Sequence, residues 1–180
     1  MVVKKMRNGV VWITGLSASG KTTISTSLYS KLKSLGFENI VLLDGEELRR
    51  HSSREFGYSV EERIASSMED FETVQAHKNN NMLTIIATIS PQRKIKEKAR
   101  EIFKDFIEVY LECPISICAE RDYKDHYRKA FAGELDNFVG VTQEYQKSNY
   151  IDLVLKTSEY SIDNCTDVLT EFVVNKFKMQ

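Results

Sequence analysis

The sequence predicts an α/β fold of three layers (αβα), with a central parallel sheet of about five strands enclosed by helices. Three observations predict it. Short β-branched runs alternate with stretches of helical period along the chain, the pattern of βα units feeding a parallel sheet. The junctions carry turn and cap residues where such units need them. Length and composition agree, since 180 residues, 42% hydrophobic and 28% charged, suit one ordinary domain with a real core.

Val10-Val11-Trp12-Ile13 is the first strand and ends at Gly15. Ile24, Leu28, Leu32 and Leu35 then recur at helical spacing, and Gly36 is placed to stop that helix. Ile40-Val-Leu-Leu43 reads as a second buried strand, closing on Asp44-Gly45. Ser59 and Glu62 fit a capping box opening a helix whose apolar stripe runs through Ile64, Met68, Phe71 and Val74. Residues 82–89 form a third strand, and Pro91 after Ser90 suits a first helical position. Residues 106–111 are the fourth strand, with Pro114 starting the next helix, and residues 152–156 are the fifth. A terminal helix carries Val168, Leu169, Phe172 and Val173. Between Asp122 and Gln146 the pattern breaks into a polar stretch interrupted by Gly133 and Gly140. So long a loop in a compact domain reads as a lid or binding element. Residues 1–180 are thus expected to form a single domain with a lid over residues 122–146.

A formal net charge of -1 argues against broad nucleic-acid binding. Cys113, Cys118 and Cys165 form no C-x-x-C pair and read as buried small hydrophobes of a reducing compartment. His51, His77 and His126 show no metal-ligand spacing. The N-terminus is too polar for a signal peptide, and no apolar run approaches the roughly 20 residues that span a bilayer. The expectation is a cytoplasmic protein without membrane or nucleic-acid partners.

The strongest motif is Gly15-Leu-Ser-Ala-Ser-Gly20-Lys21-Thr22, a full G-x-x-x-x-G-K-[ST] match between a strand and a helix. Its residue types follow from its chemistry. Gly15 and Gly20 let successive backbone N–H groups face inward around phosphates, and the following helix adds its positive dipole end. Lys21 neutralises the β- and γ-phosphates, and the Thr22 hydroxyl ligates Mg²⁺. The phosphate cradle is therefore Gly15, Ser17, Ala18, Ser19, Gly20, Lys21, Thr22 and Thr23. ATP with Mg²⁺ is the expected ligand, within a P-loop NTPase fold.

The base-reading N-K-x-D element of GTPases is absent, because Asn175-Lys176-Phe177-Lys178 lacks the aspartate. The third strand runs into Ser90-Pro91 rather than a Walker-B acid. A small-molecule kinase with a lid fits better, since it must close over two substrates and exclude water. Asp44, at the carboxyl end of the second strand, should share a crevice with Ser90 and the phosphate loop. There it would orient or deprotonate the acceptor hydroxyl, or hold a Mg²⁺-bound water. It would equally serve as the turn residue before Gly45.

These residues resemble the adenylylsulfate kinase family from about Val10 to Leu155. Beside the phosphate loop, Leu43-Asp44-Gly45-Glu46-Glu47-Leu48-Arg49 is similar to that family's L-D-G-D-x-x-R, and Gly57-Tyr58-Ser59 through Arg63 to its G-F-S-x-x-x-R. Ile89-Ser90-Pro91-Gln92-Arg93 resembles I-S-P-x-R, residues 106–110 resemble F-I-E-V-x, and Cys118 to Asp122 resembles C-E-x-R-D. The resemblance implies transfer of the ATP γ-phosphate to the ribose 3′-hydroxyl of adenylyl sulfate (APS). It implies that Arg49 and Arg63 hold the acceptor's anionic groups and that Tyr58 and Phe138 sandwich its base. Ile89 and Ser90 would line the acceptor site, with Ser66 at its edge. Lys124 would reach in from the lid, and Arg121 would lie by the ATP base. A homodimer is consistent with the family.

Departures concentrate on the acceptor side. Ser66 stands for the family's asparagine, Asp136 for a lysine, Val139 for a threonine and Thr142 for an aspartate. If Asp136 faced an anionic substrate, the reversed charge would cost several kcal/mol at about 4 Å. The departures suggest a different 5′-nucleotide conjugate, and the family resemblance offers cytidine diphosphoramidate as the alternative acceptor. Two other classes remain open: a kinase for a metabolite without a nucleotide, and a nucleotide-binding module without catalysis.

Overall fold

The structure, a computed structural model, describes residues 4–178; the first residues of the polar N-terminal stretch lie outside the described residues. β1 (Gly9–Gly15), β2 (Ile40–Asp44), β3 (Leu83–Ala87), β4 (Phe106–Glu112) and β5 (Leu153–Lys156) pair in parallel in the order β2-β3-β1-β4-β5. Every residue of β1 and β3 is buried, as strands covered on both faces must be. From β1 the chain runs outward to β2, returns through β3, then crosses to β4 on the other side of β1. The winding therefore reverses beside β1, and ligands bind at such a switch point.

The pleat divides the core. On one face Val11, Ile13, Ile85 and Val109 pack with Leu28 and Leu32 of α1 (Lys21–Ser34) and Leu169 and Val173 of α7 (Ile162–Phe177). On the other, Val10, Trp12, Ile86 and Phe106 meet Phe71 and Val74 of α3 (Val60–Asn79) and Ile95 and Ala99 of α4 (Arg93–Ile102). Burying each such aliphatic or aromatic side chain contributes about 1.5–3 kcal/mol. Trp12 anchors the second face, edge-on to Phe71 at 5.5 Å and to Phe106 at 6.0 Å. Its indole N–H donates to Thr88 Oγ1 at 2.7 Å, and that hydroxyl lies 2.7 Å from Ser90 Oγ. The core thus reaches directly into the turn after β3.

Some boundaries differ from the sequence expectation. Leu35 caps α1 rather than extending its stripe and is exposed, as are Met68 and Val168. On α3 the small Ser67 takes the inward position instead and donates to the Arg63 carbonyl. Pro91 is not the first residue of α4: Gln92 is the N-cap, because Ser90 turns the chain first at a left-handed φ of 41°. Two short helices were not anticipated, α2 (Gly45–Arg50) and α6 (His126–Phe131), the second inside the lid stretch. α5 (Ile115–Arg121) does follow Pro114, which is its N-cap.

The capping box forms as expected and has a second use. Ser59 Oγ accepts from the Glu62 amide at 3.2 Å, and the Glu62 carboxylate accepts from the Ser59 and Gly57 amides. One glutamate thereby fixes both the start of α3 and the loop carrying Tyr58. Ser59→Ala is expected to cost about 1 kcal/mol of stability, the usual value of a cap. Urea unfolding measures it, and an unchanged midpoint would mean the box contributes nothing.

Candidate active site

The carboxyl ends of β1, β2 and β3 bring the phosphate loop, Asp44 and Ser90 to one mouth of the sheet. Gly15 and Gly20 are needed for different reasons. A Cβ on Gly15 would lie 2.8 Å from Ser19 Oγ and 2.9 Å from the Leu111 carbonyl, so no side chain fits. Gly20 has open space around it but sits at φ 98° as the N-cap of α1. Ala18 takes the left-handed region too, at φ 56°, where the resembling family motif has glycine. An L-residue there is strained by about 1–2 kcal/mol.

The cradle fits a nucleotide phosphate. α1 begins with no side-chain cap and no acidic residue in its first turn, so its first amides are left for an anion. Ser19 Oγ is buried without a hydrogen-bond partner among the described residues. Lys21 is half-buried, and its ammonium donates to the Leu16 carbonyl at 2.6 Å. Burial lowers its pKa to about 8, against the opposing pull of Cys118, Asp44 and Glu46. A phosphate would restore the charge that burial disfavours.

Asp44 makes the turn contact its position suggests and a second contact to the phosphate-loop helix. Its Oδ1 accepts from the Glu46 amide at 2.9 Å, capping α2, while Oδ2 accepts from Thr22 Oγ1 at 2.7 Å. The expected metal ligand and the expected acid are therefore adjacent. Oxygen donors of this kind suit Mg²⁺. Thr23 is exposed one residue further along α1.

α2 leads from Asp44 to a cationic cluster around Tyr58. Arg49 donates to the Phe56 and Gly57 carbonyls, and its guanidinium stands 4.4 Å from the Tyr58 ring centroid. Arg63 stands 5.2 Å from the same ring, donates to the Tyr58 carbonyl at 3.0 Å, and reaches the Asn137 carbonyl of the lid at 3.0 Å. Neither forms a salt bridge with a carboxylate among the described residues. Burial and then the nearby charge of Arg49 lower Arg63 to a pKa of about 10, still fully charged near neutrality. Two guanidiniums over one ring, neither salt-bridged to a carboxylate among the described residues, make a candidate anion site. Tyr58 is 57% exposed, so its ring is open to a ligand rather than packed in the core.

The lid touches this region at several points. Lys124 pairs with Glu46 of α2, which holds its pKa above the usual lysine value. Tyr127, fully buried, donates to the Ser17 carbonyl of the phosphate loop at 3.0 Å. Phe138 is half-buried, edge-on to Tyr127 at 4.9 Å. Thr142 Oγ1 accepts from the Phe138 amide and donates to the Leu135 carbonyl, closing the turn that presents Phe138. Arg121 donates to the Thr157 carbonyl, and Thr157 Oγ1 donates to the Ser19 carbonyl at 2.8 Å, tying that edge to the phosphate loop.

Of the expected acceptor residues, Ile89 packs against the Leu16–Tyr127 cluster and Ser90 is buried. Ser66 is half-buried with no hydrogen bond recorded. Tyr127, Thr157 and Glu46 were given no role from the sequence, and Thr142 was marked only as a departure from the family pattern. Tyr127 stands at the tyrosine of the family's lid pattern and was the one with a readable signal. Among the described residues no group of His, Cys, Asp and Glu forms a metal cluster, and no helix is long and apolar enough to cross a membrane.

Residues 7–156 match the family model described as adenylylsulphate kinase. The adenylyl-sulfate kinase of Halothermothrix orenii is 34% identical over 174 residues, covering 97% of this chain and 94% of the relative. That of Synechococcus sp. strain JA-3-3Ab is 36% identical over 166 residues, covering 92% and 94%. Among solved structures, the Mycobacterium tuberculosis APS kinase CysC in complex with AMPPNP and APS superposes with a TM-score of 0.84 at 30% identity, covering 94% of this chain and 98% of that one.

The depressed Lys21 pKa makes a calorimetric prediction. Phosphate binding should raise that pKa, so MgATP binding should take up about one proton per site near pH 9 and almost none near pH 6.5. Titration calorimetry in buffers of different ionisation enthalpy measures the uptake. No difference between the two pH values would mean that Lys21 does not meet the phosphates.

Proposed function

The chain belongs to the adenylylsulphate kinase family, and from that premise we propose that it transfers the γ-phosphate of MgATP to the ribose 3′-hydroxyl of adenylyl sulfate. The observation that carries this is the paired arrangement at the sheet mouth. A phosphate cradle and the Thr22–Asp44 contact are joined through α2 to a cluster in which Arg49 and Arg63 flank Tyr58. One side suits a nucleoside triphosphate. The other suits an aromatic base next to an anionic linkage.

The chain's own residues then divide the work. The backbone from Gly15 to Thr23 and the ammonium of Lys21 bind the donor phosphates, with Ser17, Ala18 and Ser19 shaping the loop. Bound Mg²⁺, which Thr22 with Asp44 beside it would hold, supplies charge neutralisation on the β- and γ-phosphates. Asp44 orients or deprotonates the acceptor hydroxyl, or holds a Mg²⁺-bound water; Oδ1 accepts from the Glu46 amide and Oδ2 from Thr22 Oγ1, the contact that a Thr22-bound Mg²⁺ would release. Arg49 and Arg63 hold the acceptor's anionic groups. Tyr58 and Phe138 stack on its base, Ser66, Ile89 and Ser90 line its site, Lys124 approaches from the lid, and Arg121 attends the ATP base. Most of the rate acceleration is positioning and charge stabilisation.

The departures from the family pattern weigh less than the sequence alone suggested. Val139 is buried among Leu16, Cys118 and Tyr127, so that change is in the core. Asp136 is exposed, and Thr142 supplies the turn contact at the former aspartate position. The changes at Ser66, within Lys124 to Phe131 and at Gln143 to Gln146 remain, and together they favour a second reading, in which the acceptor is cytidine diphosphoramidate. The free, buried thiols of Cys113, Cys118 and Cys165 favour a reducing cytoplasm. We also propose a homodimer, on the family resemblance.

The deciding experiment offers adenylyl sulfate and cytidine diphosphoramidate separately with MgATP and identifies each product. Turnover of adenylyl sulfate is expected; turnover of the cytidine conjugate alone would establish the second reading, and turnover of neither would remove both. Arg63→Ala is expected to raise the acceptor KM by about tenfold or more, the loss of a charge-assisted contact, with the MgATP KM little changed. Equal effects on both would take Arg63 out of the acceptor site.

A further inference from the structure

Lys96 is a buried lysine outside the chemistry described above. Its residue exposure is 1%, yet it carries a charge-bearing group into the protein beneath the turn after β3. The ammonium donates to the Ser90 carbonyl at 3.0 Å and to the Gln146 carbonyl at 2.7 Å, and lies 4.4 Å from the centroid of the Tyr145 ring. Ser90 belongs to the acceptor-side turn, and Tyr145 and Gln146 to the descending end of the lid. One side chain therefore joins two segments more than 50 positions apart in the chain.

The surroundings reinforce the join. The Gln146 amide donates to the Pro91 carbonyl at 2.9 Å. Arg93 Nε donates to the Lys147 carbonyl at 2.8 Å, and Arg100 donates to the Tyr150 carbonyl. Arg93, Lys96 and Arg100 follow the three-to-four residue spacing of one helix face, so α4 presents a ladder of cations to the carbonyls of the descending chain. Arg93 is exposed and Arg100 half-buried; only Lys96 also reaches the acceptor turn.

Burial disfavours the ammonium and lowers its pKa to about 8, with Glu108 of β4 pulling the other way and Arg93 adding to the depression. A methionine would fill the same space but leave the buried Glu108 carboxylate without the cation that helps keep it charged. A counter-charge alone does not require bonds to two carbonyls, and those bonds hold a left-handed turn: Ser90 sits at φ 41°, a strained conformation for a serine that persists only where its surroundings impose it.

We infer that Lys96 is a positioning residue for the acceptor site, clasping the Ile89–Ser90 turn to the end of the lid so that the two act as one unit. This rests on the reading that Ile89 and Ser90 line the acceptor site. Movement of the lid's descending end is then transmitted to the acceptor turn, while the phosphate cradle on β1 is untouched.

The test compares Lys96→Met, Lys96→Arg and Arg93→Ala, with steady-state kinetics and amide hydrogen exchange of the substrate-free proteins. Lys96→Met should raise the acceptor KM about tenfold with the MgATP KM within about twofold, and Lys96→Arg, which keeps the charge and donors, should return most of that loss. Exchange should accelerate together in residues 89–92 and 143–147. Arg93→Ala loosens the lid end at an exposed rung, leaves the core intact, and should raise the acceptor KM by about threefold with faster exchange at Ser90. It decides the matter if Lys96→Met fails to fold. A MgATP KM that rises in step with the acceptor KM would overturn the inference, as would exchange that changes in only one of the two segments. Exchange needs no acceptor, so an acceptor reading that fails in the turnover assay leaves this result interpretable.

Discussion

Parallel pairing obliges the strands to deliver their carboxyl ends to one edge of the sheet, and nearly all of the chemistry here depends on that edge. Val10 to Gly15 run in register with both Phe106 to Leu111 and, through Ile13, with Thr84 to Ala87. The ladder fixes where Gly15, Asp44 and Ser90 emerge, and no loop has to span a large distance to bring them together. The Thr22–Asp44 hydrogen bond is a consequence of that register, since Asp44 lies opposite Ala87 and Ile13 lies opposite Ala87 from the other side. Trp12, locked between Phe71 and Phe106, carries the same rigidity from the core to Thr88 and Ser90.

A second constraint is electrostatic. The cations proposed to meet substrates each rest on an acceptor of the protein itself: Lys21 on the Leu16 carbonyl, Arg63 on two carbonyls, Lys124 on Glu46. These contacts prevent buried donors from going unsatisfied, an outcome that costs about 1–3 kcal/mol each. For Lys21 and Arg63, exchange for an anionic oxygen is nevertheless favourable, because bonds between two ionised groups are roughly twice as strong as those to a neutral carbonyl. The same contacts draw the lid across the mouth before any ligand arrives. Arg63 in particular links the Tyr58 loop to Asn137, so the loop and lid already share one side chain.

How much of this was legible in the sequence follows from which interactions are local. The phosphate loop, the capping box and the five strands could be read because each is specified by residues close together in the chain. α2 could not, since six residues show no periodicity and its start is set by Asp44, whose side chain also has a role across the sheet. The exposure of Met68 and Val168 was likewise hidden, because the phase of a helical stripe is fixed by what packs against it. Lys96 reads as an ordinary surface cation of a helix rich in lysine and arginine, and only the fold reveals that it points inward.

The lid shows why substitutions listed along a motif do not translate directly into changed chemistry. Val139 replaces a hydroxyl with a methyl where the environment is apolar, and the cluster around Leu16 and Tyr127 absorbs it. Thr142 replaces a carboxylate but still accepts the Phe138 amide, and it gains a donor that the Leu135 carbonyl receives. The aromatic platform therefore keeps its support while the lid carries less charge at that turn. On the proposed reading, a change left at the acceptor is at position 66, where serine is shorter than the asparagine of the resembling motif. Selectivity in this chain would, on that reading, turn on the space between the Tyr58 ring and the guanidiniums of Arg49 and Arg63.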